Sequence, residues 1–311
     1  MPMNLPCNAL LLVFSASIFV SRFACGAELF RVATYNVNNY LNEPSEGRPA
    51  KLEESKTQIR KNIRALNADV IALQEVGTPR DLLELRQSLQ NDGANYSHWE
   101  WVPGADPVIH VAVLSRFPVT ARRPHTNESF LLYGRRMQVS RGFAELDFRV
   151  NERYLFTLMT AHLKSRRVSA RADESELREQ EALLLRGHIE AFLTNNPSAN
   201  LIVLGDFNDT KDSAAIRAIR GHGKFGLVDT RPSERNGDAV FAFTPRTDPM
   251  TVTWTHYFGK EDTYSRIDYI MLSPGMAREW VPNEGFVLAT PNWGLASDHR
   301  PIVAAFWAEN H

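Results

Sequence analysis

Cysteine is nearly absent. Of 311 residues only Cys7 and Cys25 are cysteines, and both lie in an N-terminal stretch that reads as a leader. Its removal would leave a chain with no disulfide, no thiolate nucleophile and no cysteine-based zinc site. Net charge is missing too: 35 basic residues face 36 acidic ones, a total of −1. That balance excludes bulk electrostatic attraction to nucleic acid or an anionic membrane, so any grip on phosphate must come from a local cluster or a metal ion. Long apolar runs are also lacking. Ala9–Val20, interrupted by Ser15 and Ser17, is too short to cross a bilayer and about right for a signal-peptide core. Cys25-Gly26-Ala27 offers small residues where a signal peptidase reads, so cleavage after Ala27 is expected. Residues 28–311 would then be one exported domain, periplasmic or secreted. Arg22 after the apolar run, and the want of Lys or Arg before it, leave an N-terminal membrane anchor as the alternative.

What is present is ordinary globular composition, 43% hydrophobic and 23% charged, without repeats or low-complexity blocks. Apolar, β-branched runs predict strands at Leu29–Tyr35, Val70–Gln74, Val111–Ser115, Met137–Phe148, Tyr154–His162, Leu201–Gly205, Ile267–Leu272 and Pro301–Trp307. Helical spacing links Leu52, Ile59, Ile63 and Leu66, and again Leu82, Leu85 and Leu89 after Pro79. A longer helix is expected from about Ser175 to Leu193, with Leu177, Leu184, Leu185, Ile189 and Phe192 inward. Pro44–Arg48 and Arg231–Thr247 read as irregular loops. Strands mixed with helices suggest a layered α/β sandwich.

Polar residues cluster just past the strands: Asn36 and Asn38, Glu75, His162, Asp206 and Asn208, Asp268, then Asp298 and His299. Singly, each has a plain explanation. Asn36 can be a turn residue, Glu75 can end a strand, His162 can cap one, and Gly205-Asp206-Phe207-Asn208 can be a turn in which Asp and Asn bond their own backbone. In this order, each at a strand end, chance is a poor explanation, because loops on a rigid scaffold are where chemistry usually sits.

The ordered motifs Thr34-Tyr35-Asn36-Val37, Leu73-Gln74-Glu75-Val76, Leu114-Ser115-Arg116-Phe117-Pro118, Ala161-His162-Leu163-Lys164-Ser165, Gly205-Asp206-Phe207-Asn208, Arg266-Ile267-Asp268-Tyr269-Ile270 and Ser297-Asp298-His299-Arg300-Pro301 resemble the endonuclease/exonuclease/phosphatase superfamily, nearest to its secreted bacterial nuclease-like members. The resemblance implies a four-layered α/β sandwich of two mixed, mostly antiparallel sheets flanked by helices. It also implies hydrolysis of a phosphate ester with a divalent cation, Mg²⁺ or Mn²⁺. By motif, Glu75 would be the principal metal ligand, with Asn36 and Asp298 completing or supporting the site. Asp206 and Asn208 would face the scissile phosphate. His299 would be the catalytic imidazole, Asp268 its carboxylate partner and His162 a second phosphate-facing imidazole. The family often has an acid two residues after the first Asn, where this chain has Asn38.

Hard cations take oxygen ligands, which Glu75, Asp298 and Asn36 provide; with few histidines in the motifs, zinc is disfavoured there. Either Asp206 or His299 could take the proton of the attacking water. Arg135, Arg136, Arg141, Lys164, Arg166, Arg167 and Arg171 cluster along the sequence, as a solvated face or as a flank for a polyanion, with Lys164, Arg166 and Arg136 the candidate substrate contacts. Trp254 and Tyr257 could stack on a base or simply pack. The expected substrate is a nucleic acid or another phosphodiester, and no stable protein partner is implied. A sphingomyelinase-like enzyme is the alternative; it would need an exposed apolar hairpin, for which Phe241–Phe243 and Trp254–Phe258 are candidates. Arg266-Ile267-Asp268 lacks the signature of the inositol 5-phosphatases, and a phosphatase of other small phosphates is a further alternative. A non-catalytic phosphate-binding module would be expected to have lost one of Glu75, Asp206, Asp268, Asp298 or His299, and all five are present.

Overall fold

The computed structural model describes residue 1 and residues 28–170, 172–235 and 251–309. The expected leader, with both cysteines, lies outside them, as do Arg171, Phe241–Phe243 and all but the first five residues of the Arg231–Thr247 loop. The described strands are β1 (Leu29–Tyr40), β2 (Val70–Val76), β3 (His98–Val102), β4 (His110–Ser115), β5 (Val119–Arg122), β6 (Ser129–Leu132), β7 (Arg135–Gln138), β8 (Ala144–Arg149), β9 (Leu155–His162), β10 (Leu201–Asp206), β11 (Val228–Asp229), β12 (His256–Phe258), β13 (Thr263–Ser265), β14 (Asp268–Leu272), β15 (Trp280–Val287) and β16 (Ile302–Trp307). Helices are α1 (Glu53–Leu66), α2 (Pro79–Asn91), α3 (Glu174–Asn195), α4 (Ala214–Arg220), α5 (Met276–Glu279) and α6 (Trp293–Ala296).

Two six-stranded sheets form, in the orders β15-β16-β1-β2-β4-β3 and β11-β14-β10-β9-β8-β5. Each has one parallel pairing, β1 with β2 and β9 with β10, among antiparallel ones. Alternation along the central strands divides their side chains between two faces. Phe30, Val32, Val70 and Ala72 join Leu158, Ile202, Leu204 and Ile270 in a core between the sheets. Ala33, Tyr35, Ile71 and Leu73 point the other way, onto Ile59, Ile63, Leu82 and Leu85 of α1 and α2. Met159, Leu201, Val203 and Met271 meet Leu177, Leu185, Ile189 and Ile216 of α3 and α4. Three cores between four layers make the α/β sandwich that the motifs imply.

Three local expectations are corrected. Met137–Phe148 is not one strand: β7 pairs with β6 in a separate hairpin, and the chain enters the second sheet only at Ala144. The cause is a close backbone crossing at Val139–Phe143. A Cβ on Gly142 would stand 2.3 Å from the Pro103 carbonyl oxygen, and one on Gly104 2.5 Å from the Arg141 Cα, so the two segments pass where no ladder can run. Leu52 does not share the buried face of α1; it is the N-cap, with 73% of its surface exposed. In α3, Leu193 is fully buried while Leu184 and Phe192 lie at the edge of the core.

Candidate active site

Register builds the first wall of the site. β10 lies between β9 and β14, and pairing sets His162 opposite Asp206 on one side and Asp268 opposite Asp206 on the other. Three strand-end polar residues thus stand in one row. The row needs Gly205: at φ +141° its Cα lies so near β9 that a Cβ would be 2.0 Å from the Ala161 carbonyl oxygen. Asn208, in the left-handed region at φ +55°, closes the turn, its backbone N–H donating to Asp206 Oδ1 at 2.9 Å.

The first sheet supplies the facing wall. Asn36 Nδ2 donates to Asp206 Oδ2 at 2.9 Å, tying the two sheets together at their rim, and lies 3.4 Å from Glu75 Oε1. Asn36 Oδ1 accepts the backbone N–H of Asn38 at 2.9 Å. The amide is thus oriented from both ends and braces Glu75 and Asp206. Glu75 adopts φ +64° where the β2–β4 register shifts between Leu73 and Val76. Such strain in a non-glycine residue persists only when its surroundings hold it, and here the Asn39 backbone N–H holds Glu75 Oε2 at 3.0 Å. Behind the row, His299 Nδ1 bonds Asp268 Oδ2 at 2.9 Å while Nε2 stands 3.7 Å from Asp206 Oδ2. A carboxylate only accepts, so Nδ1 carries the proton toward Asp268. Ser297 Oγ, donating to the Asn36 carbonyl at 2.8 Å and accepting from the His299 N–H at 3.0 Å, locks this loop to β1.

These surroundings set the charges. Burial opposes a charge on His299, but Asp268 and Asp206 outweigh it and raise the imidazole to about 10. Burial pushes the Asp206 carboxyl up to about 6, with His299 pulling the other way. Asp298, whose side chain is 46% exposed, is held down at about 2 despite partial burial by the neighbouring His256 and His299. His162 is shifted well below its ordinary value by burial and by Arg141. Arg141 Nη2 lies 2.9 Å from His162 Nε2, and because a guanidinium only donates, that nitrogen must accept. His162 is therefore neutral. Burial lowers Lys51 to about 8, and its ammonium donates to the Val37 and Asn38 carbonyls at 3.0 and 2.5 Å.

Together they line a cleft of about 810 Å³ that takes in Glu75, His162, Lys164, Arg166, Asp206, Asn208, Asp298 and His299. Asn36 and Asp268 are buried and bonded to its walls. Arg136 is elsewhere, on the β6–β7 hairpin, where it donates to Ser129 Oγ at 2.9 Å. Sequence reasoning missed Arg48, which lines the cleft and donates to Asn39 Oδ1 at 2.6 Å, and His256, 3.7 Å from Asp298 Oδ2. It also gave no part to Arg141 as the partner of His162. No strand-end pattern marks Arg48, whereas His256 lies inside the aromatic stretch Trp254–Phe258 and that stretch was the available signal. The donors suit a hard cation: Glu75 and Asp298 open carboxylate oxygens onto the same cleft, and both act on Lys51.

The structure is a four-layered α/β sandwich with an acid–imidazole cleft where its two sheets meet, and the sequence places it in a family. Residues 33–299 match the profile of the Endonuclease/Exonuclease/phosphatase family, and the chain belongs to that family, whose members hydrolyse phosphate esters. No curated protein sequence matches significantly. Among solved structures, the human Nocturnin catalytic domain with bound sulfate anion is similar at 16% identity, covering 90% of this chain and 97% of that one, with a TM-score of 0.62. An endonuclease/exonuclease/phosphatase from Bacteroides vulgatus matches at 17% identity, 91% and 100% coverage and TM-score 0.62. Sphingomyelinase C from Streptomyces griseocarneus matches at 18%, 90% and 99%, with TM-score 0.58. At these identities the likeness establishes the fold. No described helix is long and apolar enough to cross a membrane.

Proposed function

We propose that this protein is an exported nuclease that hydrolyses phosphodiester bonds by in-line attack of one water, with Mg²⁺ or Mn²⁺ held by Glu75 and Asp298. The observation that carries the reading is the Asp268–His299–Asp206 alignment, 2.9 and 3.7 Å apart, in the cleft that Glu75 enters. When bound, the cation neutralises charge on the non-bridging oxygens and fixes the phosphate. Asp206, ionised above about 6, is the base that takes the water's proton. His299, protonated up to about 10, has no lone pair to offer at Nε2 and contributes positive charge to the transition state. Asn36 and Asn208 keep Asp206 aimed, and Arg141 keeps His162 neutral beside it.

A nucleic acid is favoured over a lipid by what surrounds the cleft. Arg48, Lys164, Arg166 and Arg167 line its rim. The β12–β13 hairpin beside it turns through Gly259-Lys260-Glu261-Asp262, a charged tip unsuited to entering a bilayer. Its half-exposed Phe258 and Tyr264 suit stacking on bases. A lipid phosphodiesterase is the second reading, because the sphingomyelinase C likeness spans nearly the whole of that chain. Purified protein offered plasmid DNA, RNA, sphingomyelin vesicles and inositol phosphates, with Mg²⁺, Mn²⁺ or chelator, decides. Metal-dependent cleavage of nucleic acid is expected; cleavage of vesicles alone reverses the two readings, and turnover of nothing overturns both.

A further inference from the structure

On the outer face of the second sheet, away from the catalytic motifs, three side chains converge that neither the family nor the cleft accounts for. His125 and Glu128 lie in the segment between β5 and β6, and His188 is on α3; one ligand atom from each falls within 4.8 Å of the others. We propose that His125, Glu128 and His188 form a second metal site, for a borderline transition-metal ion such as Zn²⁺.

Donor geometry is the first argument. Glu128 Oε1 accepts a hydrogen bond from His188 Nε2 at 3.0 Å, whose proton a bound ion would displace, and stands 3.8 Å from His125 Nδ1. Two ligands each 2.0–2.1 Å from a tetrahedral ion are separated by roughly 3.4 Å, and these distances bracket that value. Two imidazoles and one carboxylate, with a position left for water, is a familiar donor set for zinc and its neighbours.

Tautomers give the second. His125 Nε2 lies 2.9 Å from Glu145 Oε2. A carboxylate only accepts, so Nε2 carries a proton there, and Nδ1 is the nitrogen that faces the Glu128 oxygen. Glu145 stands where an outer carboxylate orients a metal-ligating histidine, and it is itself anchored by Arg123. The two rings are stacked, with centroids 3.8 Å apart at 31°, and would spread as each turns a nitrogen onto one ion.

Preorganisation and access complete the case. His125 is pinned by a two-way backbone bridge to Phe143, at 2.9 and 3.0 Å, and the Glu128 carbonyl accepts the Val139 N–H at 2.9 Å. His188 is held by a 22-residue helix. The ligand side chains keep 20%, 26% and 25% of their surface exposed, enough for an ion to enter. An ion here would staple the segment between β5 and β6 to α3, with no part in hydrolysis.

The test is binding, not activity. Chelator-treated full-length protein is titrated with Co²⁺, read by visible absorption, and with Zn²⁺, read by calorimetry and thermal melting. One equivalent with a tetrahedral Co²⁺ spectrum and a raised Tm is expected. His188→Gln should weaken Zn²⁺ binding by ~100-fold and Glu145→Gln by ~10-fold, the scales of a lost ligand and a lost outer partner. The Co²⁺ spectrum should survive Glu75→Gln, which separates this site from the cleft. Should His188→Gln fail to fold, Glu128→Gln, which keeps a hydrogen-bond acceptor for His188, makes the same comparison. Absence of binding in the wild type, or binding undiminished in both ligand variants, overturns the proposal.

Discussion

Asp206 and His299 face each other across 3.7 Å with opposite demands on pH. Asp206 must be ionised to take a proton, and burial has raised it to about 6, so kcat/KM should climb as pH rises through that value. His299 must stay protonated to lend its charge, and with a value of about 10 it does so until the alkaline range, where the rate should fall. A bell with a broad neutral plateau is therefore expected at saturating metal, its limbs belonging to the coupled groups. Asp268→Asn removes the partner that holds His299 charged. The alkaline limb then moves to lower pH, and the acid limb moves the same way because the Asp268 charge also raises Asp206. A profile unmoved in this variant would show that His299 does not act as a cation. Asp206→Ala and His299→Ala should each cost at least ~10²-fold in turnover, the scale of a positioned acid or base, measured on the substrate that the panel identifies.

Glycines separate two kinds of element. Gly205 in β10 has φ +141°, and a Cβ there would drive into the β9 backbone. Gly205→Ala should cost about 3–5 kcal/mol, the upper end for one substitution at a special backbone conformation. Gly187, inside α3, has nothing within 4 Å of a built Cβ, and Gly187→Ala should stabilise by about 1 kcal/mol through helix propensity. Urea midpoints at unchanged slope check the opposite signs. The same contrast explains what was legible in the sequence. Central strands such as Leu201–Asp206 are buried on both faces and write themselves as apolar runs, and α1–α3 carry helical spacing. β11, β12 and β13, two or three residues each, leave no periodicity to read. β15 has Pro282 and Gly285 inside it and a broken register against β16. Asn36, Glu75, Asp206 and His299 were legible because each stands where an apolar strand pattern gives out or is about to begin, although β1 itself runs on to Tyr40. Arg48 and Arg141 were not, because crossing loops bring them to the cleft and such placement has no local signature, while His256 on a short hairpin was marked only by the aromatic stretch around it.

At the scale of the whole molecule, a net charge of −1 leaves no general field to attract a polyanion, so affinity must come from the rim of the cleft. Not all its cations are free to serve. Arg141 is spent on His162, Arg48 is 3.8 Å from Asp106, and Arg166 is 3.3 Å from Asp209. Two to four phosphate contacts is then a fair expectation, and each contributes about 0.7–0.9 to the salt slope of log affinity. Binding of an oligonucleotide to the inactive Asp206→Asn protein should therefore fall with log salt at a slope of about −1.4 to −3.6. Replacing Arg166 and Arg167 by Ala should flatten that slope by ~1–2 and, in the active enzyme, raise KM more than it lowers kcat. Arg136→Ala, on the hairpin outside the cleft, should change neither. Equilibrium titrations across a salt series provide the check. A slope near zero would mean that the cleft grips one phosphate rather than a chain of them. The substrate would then have to be sought among lipid headgroups or small esters, with the catalytic row unchanged.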